Sequence, residues 1–171
     1  GLRAFLGRFD KDAVDVDVID EGILMDCDTP NDYARLRKRF ATRDIPGKLE
    51  CRAIWEVHEV PATTVAHCRA VAELARLLAV HLNQSGLTLD LDLLVAAGLL
   101  HDVAKGRPNH AELGAELLKK LGYKRVGEVV GCHTDLAESK AQIREAELIY
   151  LADKLVKGNQ PGSLQERFKT A

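Results

Sequence analysis

The stretch LLHDVAKGRPNH, Leu99 to His110, poses the question that the rest of the chain answers. It closes an apolar run of helical composition, Leu91, Leu93, Leu94, Val95, Leu99 and Leu100, and passes directly into adjacent His101 and Asp102. Lys105, Arg107 and His110 follow. Burying an imidazole and a carboxylate at the end of such a helix is costly unless something pairs with them. A bound metal ion is the strongest such partner. The other residues are therefore read for further ligands.

The 171 residues are 46% hydrophobic and 29% charged, the composition of a soluble globular chain with one good core and room for an appendage. The net charge of −2, with both signs interspersed, gives no footprint for nucleic acid or a membrane surface. No apolar run reaches the length of a membrane span, and no signal peptide is expected. Cys27, Cys51, Cys68 and Cys132 show no CxxC pairing, which reads as reduced thiols in a cytoplasmic protein. A start at Gly1 rather than Met suggests a piece of a longer chain.

Residues 1–44 differ from the remainder. Val14, Val16 and Val18 alternate with Asp15 and Asp17, and a turn at Asp20-Glu21-Gly22 leads to Ile23-Leu24-Met25, so a β-hairpin is expected. Asp28 or Thr29 with Pro30 then starts a helix. A connector, Thr42 to Lys48 with Pro46-Gly47, marks a boundary, and residues 45–171 read as an all-α bundle.

Its expected helices are Leu49–Val60, Ala62–Asn83, one capped by Thr88 or Asp90 and ending at His101-Asp102, and one opened by a capping box of Asn109 and Glu112 and stopped at Gly122. Val126–Cys132, Gln142–Lys157 and a turn or two over Leu164–Phe168 complete the set. No repeat or low-complexity segment interrupts it.

Helical spacing turns several polar groups inward. His67 has Val71 and Leu74 at i+4 and i+7; His110 sits above Leu113, Gly114 and Leu117. His133 follows Val129 and Val130, and Asp153 follows Ile149 and Tyr150. Any one alone would be an ordinary half-buried polar residue. Together with the doublet they place imidazoles and carboxylates on five successive helices, a donor set suited to first-row divalent metals, and bundles commonly build metal sites this way. The lack of a cysteine cluster argues against a structural zinc. His58 and His81 lack the pattern and are read as bystanders.

Two resemblances follow. DCDTPNDYARL, within the first 44 residues, resembles the C-terminal tail of molybdenum-cofactor-type (MobA-like) nucleotidyltransferases. That likeness would map a metal-holding aspartate onto Asp26 or Asp28; the family's Gly-rich loop is missing, so a leftover hairpin and helix is the preferred reading. From Ala62 to Lys157, His67, the His101-Asp102 doublet and Asp153 resemble the H…HD…D pattern of HD-superfamily metal-dependent phosphohydrolases.

The resemblance implies one metal on His67, His101, Asp102 and Asp153, and a second, bridged by Asp102, on His110 and His133. The ion or ions would come from Fe, Mn, Ni, Mg and Zn. His133-Thr134 and Ile149-Tyr150-Leu151-Ala152-Asp153 resemble motifs of HD proteins that split dinucleoside polyphosphates. The doublet is followed by Val-Ala-Lys in place of the common Ile-Gly-Lys, and the signatures of cyclic-di-GMP and alarmone hydrolases are missing.

The expected function is hydrolysis of a phosphoester or phosphoanhydride of a small nucleotide-like substrate by a metal-bound hydroxide, with metals about 3.5–4 Å apart clamping the phosphate. Asp102 and Lys105 carry catalysis, while Lys105 and Arg107 contact phosphate. Lys154 is expected to point away. The rival reading is a non-catalytic metal-binding regulatory module appended to a nucleotidyltransferase. A helical bundle that dimerises is a third, and a homodimer is compatible with all three.

Overall fold

The computed structural model describes residues 2–14, 16–136 and 143–162. Among them run eight α-helices: α1 (Leu2–Leu6), α2 (Pro30–Ala41), α3 (Lys48–Val57), α4 (Ala62–Gln84), α5 (Leu91–Leu100), α6 (His110–Lys120), α7 (Lys124–Gly131) and α8 (Glu145–Leu155). A two-stranded antiparallel sheet, β1 (Val156–Lys157) with β2 (Gln160–Pro161), follows. The expected all-α class holds.

The bundle is assembled around α5. The Asp90 carboxylate accepts the Leu93 backbone N–H at 3.1 Å and caps its start, an arrangement worth about 1 kcal/mol. Leu93, Leu94, Ala96, Ala97, Gly98, Leu99 and Leu100 are all buried. A helix apolar on every side has no face to give to water and is enclosed by its neighbours, here α3, α4, α7 and α8. Ile54, Val71, Leu118, Val126 and Ile149 close over it, each side chain contributing about 1.5–3 kcal/mol by leaving water. The closest approach is at Gly98. A Cβ placed there would lie 2.6 Å from the Ala72 Cα on α4, so only glycine lets these two helices meet.

Four local expectations are corrected. The hairpin over Val14 to Met25 is not formed among the described residues; Glu21–Leu24 is a 3-10 turn instead. The Asp20 carboxylate accepts the Gly22 N–H at 2.8 Å, a local bond that turns the chain at once. Val14 and Val16 are 83% and 77% exposed, and a lone hairpin with no sheet to join is marginal in water. Asn109 sits in the left-handed region at φ 55° and gives no side-chain cap to α6, because a cap requires extended backbone at that position. The third is the final helix. It ends at Leu155, and the chain it was expected to include forms β1. The Val126–Cys132 helix starts earlier, at Lys124, and stops at Gly131. The Leu164–Phe168 turn lies outside the described residues.

The N-terminal segment meets the bundle mainly through charge. No residue of α2 is buried. Arg39 projects from it and donates from one nitrogen, Nη2, to both oxygens of Glu50, whose side chain is 0% exposed. Glu50 also accepts the Gly47 N–H at 2.8 Å, and Glu21 adds a second carboxylate 3.4 Å from the Arg39 Nε.

Candidate metal centre

The structure brings His67, His101, Asp102, His110, His133 and Asp153 into one cluster. His67 comes from α4, the doublet from the turn that ends α5, and His110 opens α6. His133 follows α7, and Asp153 projects from α8. His101, Asp102 and His133 are buried; the rings of His67 and His133 stand 5.3 and 5.1 Å from that of His101, and His110 is 5.1 Å from His133.

Backbone carbonyls fix which nitrogen of each ring faces inward. The Nδ1–H of His101 donates to the Gly98 carbonyl at 2.9 Å, that of His133 to Val130 at 2.7 Å, and that of His67 to Gly158 at 2.7 Å. A carbonyl oxygen can only accept, so each Nδ1 carries a hydrogen, and in the neutral ring each Nε2 presents its lone pair. Those lone pairs face carboxylates. His67 Nε2 lies 3.0 Å from Asp153 Oδ1 and 3.9 Å from Asp102 Oδ2. His101 Nε2, buried and with no hydrogen-bond partner, lies 3.4 Å from Asp102 Oδ2 and 3.6 Å from Asp153 Oδ1. Lone pair against lone pair is repulsive. The cluster therefore requires a cation inside it, as protons on the imidazoles or as a metal ion.

Asp102 is placed to serve two sides. Its Oδ2 faces His67 and His101, while its Oδ1 lies 3.5 Å from His110 Nε2 and 3.7 Å from His133 Nε2. Two overlapping donor groups result, His67, His101 and Asp153 on one side and His101, Asp102 and His133 on the other, each with its ligand atoms within 4.8 Å of one another. Imidazole nitrogens and carboxylate oxygens without a thiolate fit a divalent first-row ion, and Nδ1 bonds to backbone are the usual support of metal-ligating histidines.

The electrostatics agree. Burial pushes the Asp102 carboxyl up, but the imidazoles of His101 and His133 and the Lys105 ammonium hold it far below the usual carboxylate range. Asp153 is likewise lowered: burial opposes, and His101 and His67 prevail. Burial works against charge on His101, yet Asp102 and Asp153 raise it well above an ordinary imidazole. His110 goes the other way, lowered first by burial and then by the nearby His133. The carboxylates stay ionised and draw positive charge toward His101, the position where an ion would replace a proton.

Around this cluster the outcomes are mixed. The Lys105 ammonium pairs directly with Asp102 Oδ2. Arg107 is exposed, and among the described residues its side chain makes no hydrogen bond or ion pair. Lys154 does not point away: its Nζ is 3.3 Å from Asp153 Oδ2 and 5.2 Å from the Tyr150 ring centre. His58 and His81 are exposed and outside the cluster, as are Asp26 and Asp28, which belong to no metal-capable group among the described residues.

The β1–β2 turn that supplies the Gly158 carbonyl went unread. Its signal was the Gly158-Asn159 dipeptide between two short extended runs, a two-residue hairpin loop.

Comparison with known proteins bears on this arrangement. The uncharacterized protein MJ0778 of Methanocaldococcus jannaschii is 40% identical over 62 residues, 34% of this chain. The chain spans 37% of the length of that curated relative. No solved structure matches. The family model described as HD domain matches residues 64–158, a span that opens three residues before His67 and closes on Gly158, whose carbonyl orients it. On that match the chain belongs to the HD domain family, whose members are metal-dependent hydrolases.

Proposed function

We propose that the chain is a phosphohydrolase that holds one or two divalent metal ions on His67, His101, Asp102, His110, His133 and Asp153 and cleaves a phosphoester or phosphoanhydride of a nucleotide-like substrate. The observation that supports it most is the set of Nε2 atoms turned onto two ionised aspartates, an arrangement that asks for a cation, proton or metal ion, between them. A bound divalent ion would supply charge to the phosphoryl oxygens and acidify a water molecule.

The protein's own groups have separate tasks. Asp102, facing histidines on both sides, is the candidate bridge. Lys105 is paired with Asp102 yet half exposed, so its ammonium is placed to meet a phosphate at the mouth of the cluster. Arg107, exposed on the same turn, is a second phosphate contact. The His133-Thr134 and Ile149–Asp153 motifs favour dinucleoside polyphosphates among the substrates. The N-terminal 44 residues are read as the tail of a nucleotidyltransferase domain.

Elemental analysis of the purified protein, followed by a panel of p-nitrophenyl phosphates, nucleotides and dinucleoside polyphosphates with Mn, Fe, Ni, Mg and Zn, tests the proposal. Turnover that disappears with Asp102→Ala is expected. Turnover retained in that variant would refute the scheme. Bound metal with no hydrolysis of any substrate would instead favour a regulatory module.

A further inference from the structure

A cavity of about 690 Å³ lies between α2, the start of α3 and the flank of α5, and none of the six cluster residues lines it. Its walls carry five cations, Arg35, Lys38, Arg39, Lys48 and Arg76. Two carboxylates, Glu21 and Asp92, line it with them, and Glu50, Asp32 and Glu73 pair with Arg39, Arg35 and Arg76 from outside the lining. The lining itself thus carries more cations than carboxylates, on a chain whose net charge is −2.

These cations are not equally committed. Arg39 is held by Glu50 and Glu21. The partners of Arg35 and Arg76 are solvent-side carboxylates on their own helices, Asp32 at 3.5 Å and Glu73 at 2.8 Å, and such exposed pairs constrain a side chain weakly. Lys38 and Lys48 are exposed and make no ion pair among the described residues.

The floor is of the opposite character. Leu91, Val95 and Leu99 form one apolar stripe of α5. A second cavity of about 380 Å³ continues from the first, sharing Lys48, Arg76, Val95 and Leu99, and reaches Trp55 and Arg69. The N-terminus of α3 opens into the first cavity at Gly47 and Lys48, adding its partial positive charge to theirs.

We propose that this cleft binds a nucleoside di- or triphosphate, at a site separate from the histidine–aspartate cluster and independent of it. The phosphates lie among Lys38, Lys48, Arg35 and Arg76, and the base covers the Leu91–Val95–Leu99 stripe. An inorganic phosphate would leave that apolar floor in water, and a cleft of about 690 Å³ is of small-molecule size. A compact anion with an apolar end matches both halves.

The test uses the full chain with EDTA present throughout, so that no divalent ion can recruit phosphate to the cluster. ATP, AMP and tripolyphosphate are titrated by calorimetry and by the fluorescence of Trp55, the single tryptophan, whose indole N–H donates to the Leu99 carbonyl at 3.0 Å. ATP should bind one to one, change the emission and weaken with added salt, with AMP and tripolyphosphate each weaker by about tenfold or more.

Lys38→Glu and Lys48→Glu should each weaken ATP by about tenfold or more while circular dichroism and melting temperature stay as in the parent; Lys48→Gln is the milder control. Asp102→Asn should leave ATP affinity unchanged. Absence of ATP binding, or affinity untouched by both lysine variants, overturns the proposal. Loss in Asp102→Asn would move the ligand to the cluster, and tripolyphosphate as tight as ATP would remove the nucleoside.

Discussion

Replacing Gly98 by alanine pits two backbone effects against each other at the α4–α5 crossing. Alanine is favoured over glycine inside a helix by about 1 kcal/mol. The added methyl, however, would stand 2.6 Å from the Ala72 Cα, 2.9 Å from its Cβ and 3.0 Å from its N. The nearest of these atoms is backbone, not the end of a flexible side chain, so the whole helix must move. Separating two packed helices by even about 0.5–1 Å forfeits a quarter to a half of each dispersion contact between them. Overpacking of this kind costs about 1–3 kcal/mol, and the clash exceeds the propensity gain.

The expected net loss is up to about 2 kcal/mol, which in a chain of this size lowers the melting temperature by about 2–4 °C per kcal/mol. Metal affinity should fall with it, because His67 rides on α4, the Gly98 carbonyl orients His101, and their rings are 5.3 Å apart. Adding Ala72→Gly removes the 2.9 Å contact but not the 2.6 Å one, so it should restore only part of the loss. Thermal melts of the parent and the two variants by circular dichroism decide the matter. A Gly98→Ala protein that melts higher than its parent would refute the close crossing.

Three further outcomes follow from other parts of the molecule. Arg39→Ala leaves the Glu50 carboxylate, whose side chain is 0% exposed, without its cation and should cost about 3–5 kcal/mol in urea titrations, with Glu50→Gln in the same chain recovering part of it; a loss under about 1 kcal/mol would mean that the pair does not form. Burial, helped by the Glu50 charge, pushes the Cys51 thiol from 9.0 up to about 12. A folded-state value raised in this way gives stability that is whole below about pH 9 and lost toward pH 12, at about 1.4 kcal/mol per unit. The parent should therefore lose more stability than Cys51→Ala between pH 8 and 10.5, and equal slopes would count against the burial. Removing metal with a chelator should lower the melting temperature, and re-adding a divalent ion at about 100 times its Kd should return about 2.7 kcal/mol, less at acid pH where protons compete for the imidazoles; a melting temperature indifferent to every ion would argue against the centre.

Much of this was legible because the bundle obeys short-range rules. The apolar run before His101 announced a buried helix, and helical spacing alone turned His67, His110, His133 and Asp153 toward the same interior. Where the sequence misled, a local bond or a missing neighbour was responsible. The alternation of Val14, Val16 and Val18 is sound strand grammar, but strands need partners, and the Asp20 carboxylate offers the chain an immediate turn. The bond from His67 to Gly158 joins residues 91 positions apart, which no local pattern encodes. The cationic cavity escaped for the same reason: Lys38, Lys48 and Arg76 are ordinary surface residues in the sequence and become neighbours only when α2, α3 and α4 meet.

The need for a cation at the centre is set by the backbone as well as by the side chains. His101 and His133 each sit just past the C-terminal end of a helix, α5 and α7, and each donates its Nδ1–H to the carbonyl three residues back. Both helices therefore direct the negative ends of their dipoles, worth up to about half a charge each, toward the same pair of aspartates. Lys105 and the N-terminal end of α6 at His110 oppose this field, but Lys105 is half exposed and screened by water, and His110 is itself lowered rather than raised in proton affinity. The sum is a negative well whose walls are two ionised carboxylates, three inward-facing imidazole nitrogens and two helix ends. Water is kept from it at His101, where the exposure is 0%. A proton satisfies one lone pair at a time, whereas a divalent ion satisfies several at once, and an arrangement with lone pairs turned inward on both sides of Asp102 is the one that gains from the difference.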